Sequence, residues 1–476
     1  MKRDDLRRTA LGLGLLGILV EGCAVVPDNR IEARQTARSE VPVGADRFRA
    51  AEGQAVSYRA GWLDAFGDPV LVALVEEAQA NNRDLRAAAA RVEEAWALAG
   101  KAGAALAPQA GFSFSGGAQG TGATAPVDAS SIGVQASWEL DLWGRVRSGR
   151  QAAEESAEAA AADYRFAQES LAAAVTRAYF FAVEAHLREG IAAAGAEALG
   201  EIVRIVGVQK DEGLATAQDL ALARSDLSRI EDLQIAAGAA KRDALRSLEI
   251  LLGRYPGAEL EVAAALPGPP PPPPPGLPSQ LLERRPDLIA AERRLASAMS
   301  RVGEAKAARL PRIALTGSFG GASSQLASLL NPANTAWTAA SSLMAPVLDG
   351  GALQQDVVIA NARQQAALDA YVQSALDAFG EVEGSLDRGQ VFGQREAALR
   401  SATEQAGEAY RLSRINYEAG ETGLLDVLEV QLRGLQAQNR YLSVQRGRLV
   451  QFVDLNLALG GSWDDPAADA DAPASM

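Results

Sequence analysis

An internal repeat constrains the fold of this chain more than any other feature of its sequence. Short motifs of the first half recur in the second half at a spacing of about 203 to 207 residues. Four pairs of motifs mark the repeat: Asn82-Arg83-Asp84-Leu85 with Arg285-Pro286-Asp287-Leu288, Leu106-Ala107-Pro108 with Arg309-Leu310-Pro311, Leu142-Trp143-Gly144 with Leu348-Asp349-Gly350, and Asp211-Glu212-Gly213-Leu214 with Glu418-Ala419-Gly420-Glu421. We therefore expect two copies of one structural unit, with helices and strands in pairs.

A proline run separates the two halves. Every residue from Pro269 to Pro275 is proline, and glycine stands on either side. Polyproline is stiff and rises about 3.1 Å per residue, so the run predicts a spacer of about 22 Å. We therefore predict repeat 1 over 67–256, a proline-rich linker over 257–278, repeat 2 over 279–461 and a C-terminal tail over 462–476.

Each half begins with a helix and continues with two strands. The helices are expected from about Pro69 to Ala107 and from about Pro278 to Leu310, because proline favours the first turn of a helix and stops its far end. Gly/Ser-rich segments with period-two alternation follow, as in membrane-barrel strands. These segments predict one hairpin per half: 111–115 with 132–138, and 313–317 with 337–343.

Long helices fill the rest of each half. The runs from about 145 to 211 and 353 to 418 would each measure about 100 Å at 1.5 Å per residue. Turns at Gly213 and Gly420 reverse the chain into helices over about 216–252 and 424–459. Since glycine disfavours a helix interior, the glycines of the first long run predict a break there. They are Gly190, Gly195 and Gly200.

Four strands are too few to close a membrane barrel, because an open sheet edge in lipid leaves backbone groups unpaired. The chain must therefore pool its strands with other copies. The fold class that results is mainly α with a membrane β-barrel, continued by a long antiparallel coiled-coil α-barrel and built from two internal repeats.

Composition excludes several classes of function. The chain holds 46 Lys and Arg against 60 Asp and Glu, a formal charge of −14, which argues against nucleic acid as a partner. With one histidine, His186, and one cysteine, Cys23, it lacks the residues for a zinc site. No phosphate-binding loop, HExxH or GxSxG motif is present. We therefore expect that the protein is not an enzyme and that it binds neither a cofactor nor a metal.

The N-terminus has the pattern of a secretory signal. Basic residues precede an apolar run of about 12 residues up to Val20, too short for a transmembrane helix, which needs roughly 20. Cys23 resembles the lipobox cysteine of bacterial lipoproteins, which carries acyl chains that anchor the protein in lipid. We expect a signal peptide over 1–22 and a lipidated N-terminal extended segment over 23–66. Ala24, not Asp, follows the cysteine, which implies the outer membrane by the same resemblance.

Further motifs resemble one known family. The stretch Gly276–Leu288, the motif Glu139–Gly144, and Tyr417–Gly420 with Leu425–Leu428 resemble the TolC superfamily, in its branch of outer-membrane lipoproteins of resistance-nodulation-division efflux systems. The resemblance extends from about residue 62 to residue 461. It implies a homotrimer with 12 strands, located in the outer membrane and reaching into the periplasm. It also implies two partners, a periplasmic adaptor protein and an inner-membrane efflux transporter, and passive conduction of small molecules such as drugs.

The same resemblance assigns roles to residues near the two turns. Asp426 and Glu429 match the positions of carboxylate rings at the periplasmic constriction of the family, and both lie on one helix face. Asp219 is the repeat equivalent of Asp426, and we expect it at the periplasmic gate as well. Tyr417 resembles a position that holds neighbouring coils together in the closed state.

The turns themselves resemble the hairpin tips on which the adaptor docks. The residues concerned are Gly213, Leu214, Gly423 and Leu424. Two other functions stay open on the sequence alone: a lipid-anchored coiled-coil scaffold, and an outer-membrane channel for protein secretion.

Overall fold

A computed structural model describes residues 29–42, 48–50, 61–119, 127–274 and 278–461. The expected signal peptide, the lipidated Cys23 and the C-terminal tail lie outside the described residues. Among the helices that are described, none has an apolar stretch that would let it cross a membrane.

The described part of the chain is mainly helical, with four strands. The helices are α1 (Asn29–Glu40), α2 (Pro69–Asn81), α3 (Arg83–Ala104), α4 (Arg145–Asp211), α5 (Ala217–Leu251), α6 (Pro278–Arg284), α7 (Pro286–Ala307), α8 (Ala352–Glu418) and α9 (Leu424–Ala458). The strands are β1 (Gln109–Gln119), β2 (Val127–Leu140), β3 (Arg312–Ser323) and β4 (Thr335–Met344). Every helix and strand expected within the repeats is present, and the second half repeats the order of the first.

One difference from expectation concerns the first helix of each repeat, which is broken in two. The breaks fall at Asn82 and Arg285, the first residues of one pair of repeat motifs. Asn82 has an extended backbone, and its side chain accepts the N–H of Leu85 at 3.0 Å, which caps the new helix. The Asn82 amide also donates to the carbonyl of Leu251 at 3.0 Å. Arg285 donates in the same way to the carbonyl of Ala458, at 3.2 Å.

Glycine ends the second long helix of each repeat. Gly253 and Gly460 have φ values of +74° and +68°, which residues with a Cβ rarely adopt. A Cβ on Gly253 would lie 2.8 Å from the carbonyl oxygen of Asn81, and one on Gly460 would lie 2.9 Å from the Arg285 side chain. Gly253 therefore lets the end of α5 approach the break at Asn82. Gly460 lets the end of α9 approach the break at Arg285 in the same way.

The long helices α4 and α8 have the expected bounds within one residue, and each has 67 residues. The expected break in α4 is wrong, because Gly190, Gly195 and Gly200 all lie within one continuous helix. Packing explains one of these glycines: a Cβ on Gly195 would lie 3.1 Å from the Leu435 side chain. At this position a close helix contact compensates the poor helix propensity of glycine.

Contacts divide the chain into two compact units, each made of parts from both repeats. The first unit comprises the described residues of 29–42, 90–162 and 287–374 and includes the four strands. Its α1 is a helix, whereas an extended segment was expected over 23–66. Ionic contacts hold this helix: Arg30 donates to the fully buried Glu155 and to Glu158, and Arg34 lies 3.1 Å from Glu292.

The second unit comprises the described residues of 48–89, 163–286 and 375–461. Its aromatic core places the Phe66 ring edge-on to the rings of Phe180 and Phe452, at 5.0 and 5.3 Å between centroids. Such edge-to-face pairs are favourable beyond the area they bury. The proline run lies in this unit. Its prolines line a cavity of about 400 Å³ together with side chains of α8 and α9, so the run packs on helices and is not a free spacer.

Candidate functional site at the hairpin tips and the sheet

Both hairpin tips have the same backbone. At the first, which we call tip 1 (211–216), Gly213 has φ +78°, and the N–H of Leu214 donates to the carbonyl of Gln209 at 2.7 Å. At the second, tip 2 (418–423), Gly420 has φ +78°, and the N–H of Glu421 donates to Asn416 at 2.8 Å. This is the Schellman arrangement, in which a left-handed glycine satisfies the last carbonyls of a helix.

Asp219 helps to cap the helix that follows tip 1. Its carboxylate accepts the N–H of Thr216 at 2.9 Å and the Thr216 hydroxyl at 2.7 Å, while the Thr216 hydroxyl oxygen accepts the N–H of Asp219 at 3.1 Å. These hydrogen bonds, from the backbone of Thr216 first, hold the pKa of Asp219 below its usual value. A capping box therefore accounts for an aspartate at this position.

Asp426 occupies the equivalent place after tip 2, where glycine replaces the threonine. The Asp426 carboxylate accepts the N–H of Gly423 at 3.3 Å, and Gly423 has an ordinary φ of −82°. Glycine has no hydroxyl, so only one half of the capping box can form. The Asp426 side chain is exposed at the start of α9.

Glu429 is also exposed, and it is paired. Its carboxylate accepts a hydrogen bond from Arg433 one turn further along α9. The sequence analysis missed Arg433, although the spacing of four residues between a glutamate and a following arginine is a readable signal. The acidic face that was expected at Asp426 and Glu429 therefore includes one cation.

Tyr417 joins the ends of the two long helices. Its hydroxyl donates to the side-chain oxygen of Gln209 at 2.6 Å, which links the last turn of α8 to the last turn of α4. Burial raises the pKa of Tyr417, and the hydrogen bond to Gln209 opposes that shift. Within one chain, then, this tyrosine connects two coils directly beside the tips.

The residues expected to dock a partner differ in exposure. Leu214 in tip 1 is 80% exposed, whereas Leu424 is only 7% exposed. Leu424 therefore lies at the expected tip with its side chain turned away from the surface. It packs in a cluster with Leu199, Val206 and Val427, while its neighbour Leu425 is 57% exposed. The helix begins at Leu424, and its phase turns that residue inward.

The sheet has two chemically different faces. Its strands pair antiparallel in the order β1-β2-β3-β4, and their registers place alternate residues on one face. One face carries the large apolar side chains: Phe112, Phe114, Ile132, Val134, Trp138, Ile313, Leu315, Phe319, Trp337 and Leu343. The other carries small polar ones: Ser113, Ser115, Ser131, Gln135, Ser137, Thr316, Ser318, Thr338 and Ser342. This alternation is typical of strands with lipid on one side and water on the other.

Comparisons with known proteins identify the family. A model of the outer membrane efflux protein family, OEP, matches residues 74–254 and 277–461. The chain belongs to this family. One matched stretch lies in each of the two repeats of the chain. The TolC-type fold class that was expected from the sequence is confirmed.

Named relatives and solved structures match this chain over most of its length. Pyoverdine export outer membrane protein OpmQ of Pseudomonas putida is 34% identical over 87% of this chain and 89% of its own length. Outer membrane protein OprJ of Pseudomonas aeruginosa is 30% identical over 97% of this chain and 98% of its own. The outer-membrane channel OprN matches with a TM-score of 0.81 at 30% identity, covering 88% of this chain and 97% of that one. The open state of the MtrE channel of Neisseria gonorrhoeae matches with a TM-score of 0.79 at 28% identity, covering 89% and 97%.

These comparisons place the efflux protein in the outer membrane, extending into the periplasm, as the outer-membrane component of an efflux pump. Its family consists of transport proteins and channels. The scaffold function that the sequence left open is not favoured, because the whole matched length belongs to efflux proteins.

Proposed function

We propose that three copies of the chain form one duct through which small molecules leave the cell. Within the described residues, β1 pairs only with β2 and β4 pairs only with β3, so both edges of the sheet are open to another chain. Three four-stranded sheets would give 12 strands, within the range of known membrane barrels. The observation that carries the proposal is this open sheet with one apolar and one polar face, since in lipid only a closed barrel satisfies its backbone.

The closed gate of the duct is proposed to lie at tip 2. Symmetry would gather Asp426 and Glu429 of each copy into one ring of carboxylates. Crowded like charges attract cations and raise one another's pKa. Arg433 reduces the net charge of such a ring, since it pairs with Glu429 in every copy. The hydrogen bond between Tyr417 and Gln209 would hold the coils together until the tips separate.

Two protein partners complete the proposed assembly. A periplasmic adaptor docks at the tips, where Gly213 sets the turn and Leu214 offers an exposed apolar side chain. In repeat 2 the exposed Leu425, beside Gly423 and the buried Leu424, supplies the comparable contact. An inner-membrane transporter provides the energy, and conduction through the duct itself is passive.

The remaining assignments concern anchor and cargo. Cys23 would carry the acyl chains that tether the N-terminal segment to lipid. Named relatives export unlike compounds: one is a pyoverdine exporter and another is a toluene efflux protein. A wide aqueous duct without a shaped pocket fits such variety, and we propose drug-like small molecules as the cargo of this chain.

The duct is tested with purified protein from outer membranes. Its oligomeric mass is measured in detergent, and single-channel currents are recorded in planar bilayers. A trimer that inserts and conducts supports the proposal. A folded protein that stays monomeric and carries no current under any voltage contradicts it and would return the coiled-coil scaffold as the better function.

A further inference from the structure

The polar face of the sheet carries almost no charge. Over the chain as a whole 22% of residues are charged, yet residues 313–348 contain no Asp, Glu, Lys or Arg, and residues 102–138 contain one, Asp128. These two stretches contribute all four strands except their ends. Charge is thus rare in both hairpins, on the polar face as well as on the face that would meet lipid.

Serine, threonine and glutamine side chains, together with glycine and alanine, form the polar face instead. They line an open groove of about 630 Å³ on this side of the sheet. Several of them pair across strands: the hydroxyls of Ser115 and Ser131 lie 2.7 Å apart, and those of Ser318 and Thr338 lie 2.8 Å apart. Hydroxyls that already have a partner bind a passing solute weakly, because any new hydrogen bond replaces an existing one.

On the polar face, the charged residues of the described strands lie where the strands join the helices. Glu139 at the end of β2 accepts two hydrogen bonds from Arg145, at 3.0 and 2.9 Å, so this charge is compensated within the chain. Arg312 begins β3 on the same face. From Ser137 outward along β2, and from Ala314 outward along β3, the described residues of the polar face are uncharged.

We infer that the barrel part of this channel is a neutral, hydroxyl-lined exit that does not discriminate solutes by charge, so that anionic, zwitterionic and cationic molecules pass it equally. The inference rests on the proposed function, because it needs the sheet to close around a lumen. It deepens that function by separating two tasks: the acidic tips select by charge, and the barrel does not. Charged rings are the usual source of ion selectivity in pores, and the described polar face lacks the residues for one.

The test measures reversal potentials across a salt gradient at low ionic strength, where fixed charges act most strongly. The starting protein is the full chain with Asp426→Asn, Glu429→Gln and Arg433→Gln, which removes the acidic pair after tip 2 together with the arginine that pairs with Glu429. We expect its cation-to-anion permeability ratio to lie near one. On that background, Ser318→Asp should raise the ratio and Ser318→Lys should lower it, each by about threefold or more, since every copy adds a charge at mid-barrel.

Ser318→Asn is the matched control, because it has the size of the aspartate without its charge and should leave the ratio unchanged. Two results would overturn the inference: a tip-neutralised channel that keeps a strong preference for cations or anions, or Ser318→Asp and Ser318→Lys variants that conduct with the same ratio as their parent. Absence of any current in every variant would instead contradict the proposed duct, so the two failures are distinguishable.

Discussion

Tip 1 and tip 2 share a backbone and differ in side chains. Each ends a 67-residue helix with a left-handed glycine, and each places an aspartate at the third position of the next helix. Tip 1 adds a threonine that completes a capping box and an exposed leucine. Tip 2 has glycine at the cap, Glu421 in place of the leucine, and Glu429 where repeat 1 has Leu222. The two repeats share the backbone of the turn. Only tip 2 is followed by the pair of carboxylates that we propose for the gate, Asp426 and Glu429.

The largest effect is expected at the buried residue of tip 2. Leu424→Ala removes a side chain that is 7% exposed, and such truncations cost about 2 to 5 kcal/mol. Denaturant unfolding and local hydrogen exchange at the start of α9 would measure the loss. Leu425→Ala is the control, because its side chain is 57% exposed and its removal should change stability by no more than about 0.5 kcal/mol. Equal costs for both variants would contradict the inward phase of Leu424.

A smaller effect is expected at the bond between the long helices. Tyr417→Phe deletes the hydrogen bond to Gln209 and should cost about 1 kcal/mol. Because this bond lies beside the tips, the variant should also open more often in single-channel records. Tyr441→Phe deletes a comparable bond to Arg400 elsewhere on α8 and α9, and it should leave the opening frequency unchanged. The same frequency in both variants would remove Tyr417 from the proposed gate.

Next in size is the exchange of cap residues between the tips. Thr216→Ala should cost about 1 kcal/mol, since the hydroxyl oxygen that accepts the N–H of Asp219 is lost. Gly423→Ser should stabilise tip 2 by a few tenths of a kcal/mol, because serine can complete the capping box there. Hydrogen exchange at the first turns of α5 and α9 reports both changes. If Gly423→Ser loosens tip 2, the two turns are not equivalent in the way their backbones indicate.

The smallest effect is expected on the stability of the first turn of α5 at low pH. The pKa of Asp219 is lowered in the folded state by hydrogen bonds from Thr216. A lowered folded pKa means that its stabilisation is complete above the unfolded pKa, about 3.9, and is lost as pH falls through the folded value. Amide exchange at the start of α5, corrected for intrinsic rates, should therefore increase below about pH 4. Asp219→Asn should remove this dependence. A dependence that persists in the variant would assign it to another carboxylate.

The sequence predicted the elements well where proline and glycine mark their ends. Asp68 with Pro69 begins α2 as expected, and the Asp68 side chain accepts the N–H of Val70 and of Leu71. Gly213 and Gly420 reverse the chain at the expected positions. The breaks at Asn82 and Arg285 were missed, although Pro286, directly after Arg285, is a readable signal for the second one.

Features that depend on packing could not be predicted in the same way. Gly195 lies inside a continuous helix because Leu435 from another helix approaches it closely, a fact that propensity does not contain. The inward phase of Leu424 is set by its cluster, not by the turn before it. The pairing of Arg433 with Glu429, by contrast, could have been predicted from their spacing of four residues on one helix.

The central claim, that tip 2 and not tip 1 closes the duct, is tested most directly by single-channel conductance. Asp426→Asn with Glu429→Gln removes two carboxylates in the helix that follows tip 2, and Asp211→Asn with Glu212→Gln removes as many at tip 1. The account predicts a small, cation-selective conductance for the wild type, a clear increase with lower selectivity for the tip 2 variant, and wild-type behaviour for the tip 1 variant. Equal responses of the two variants, or no response in either, would contradict it.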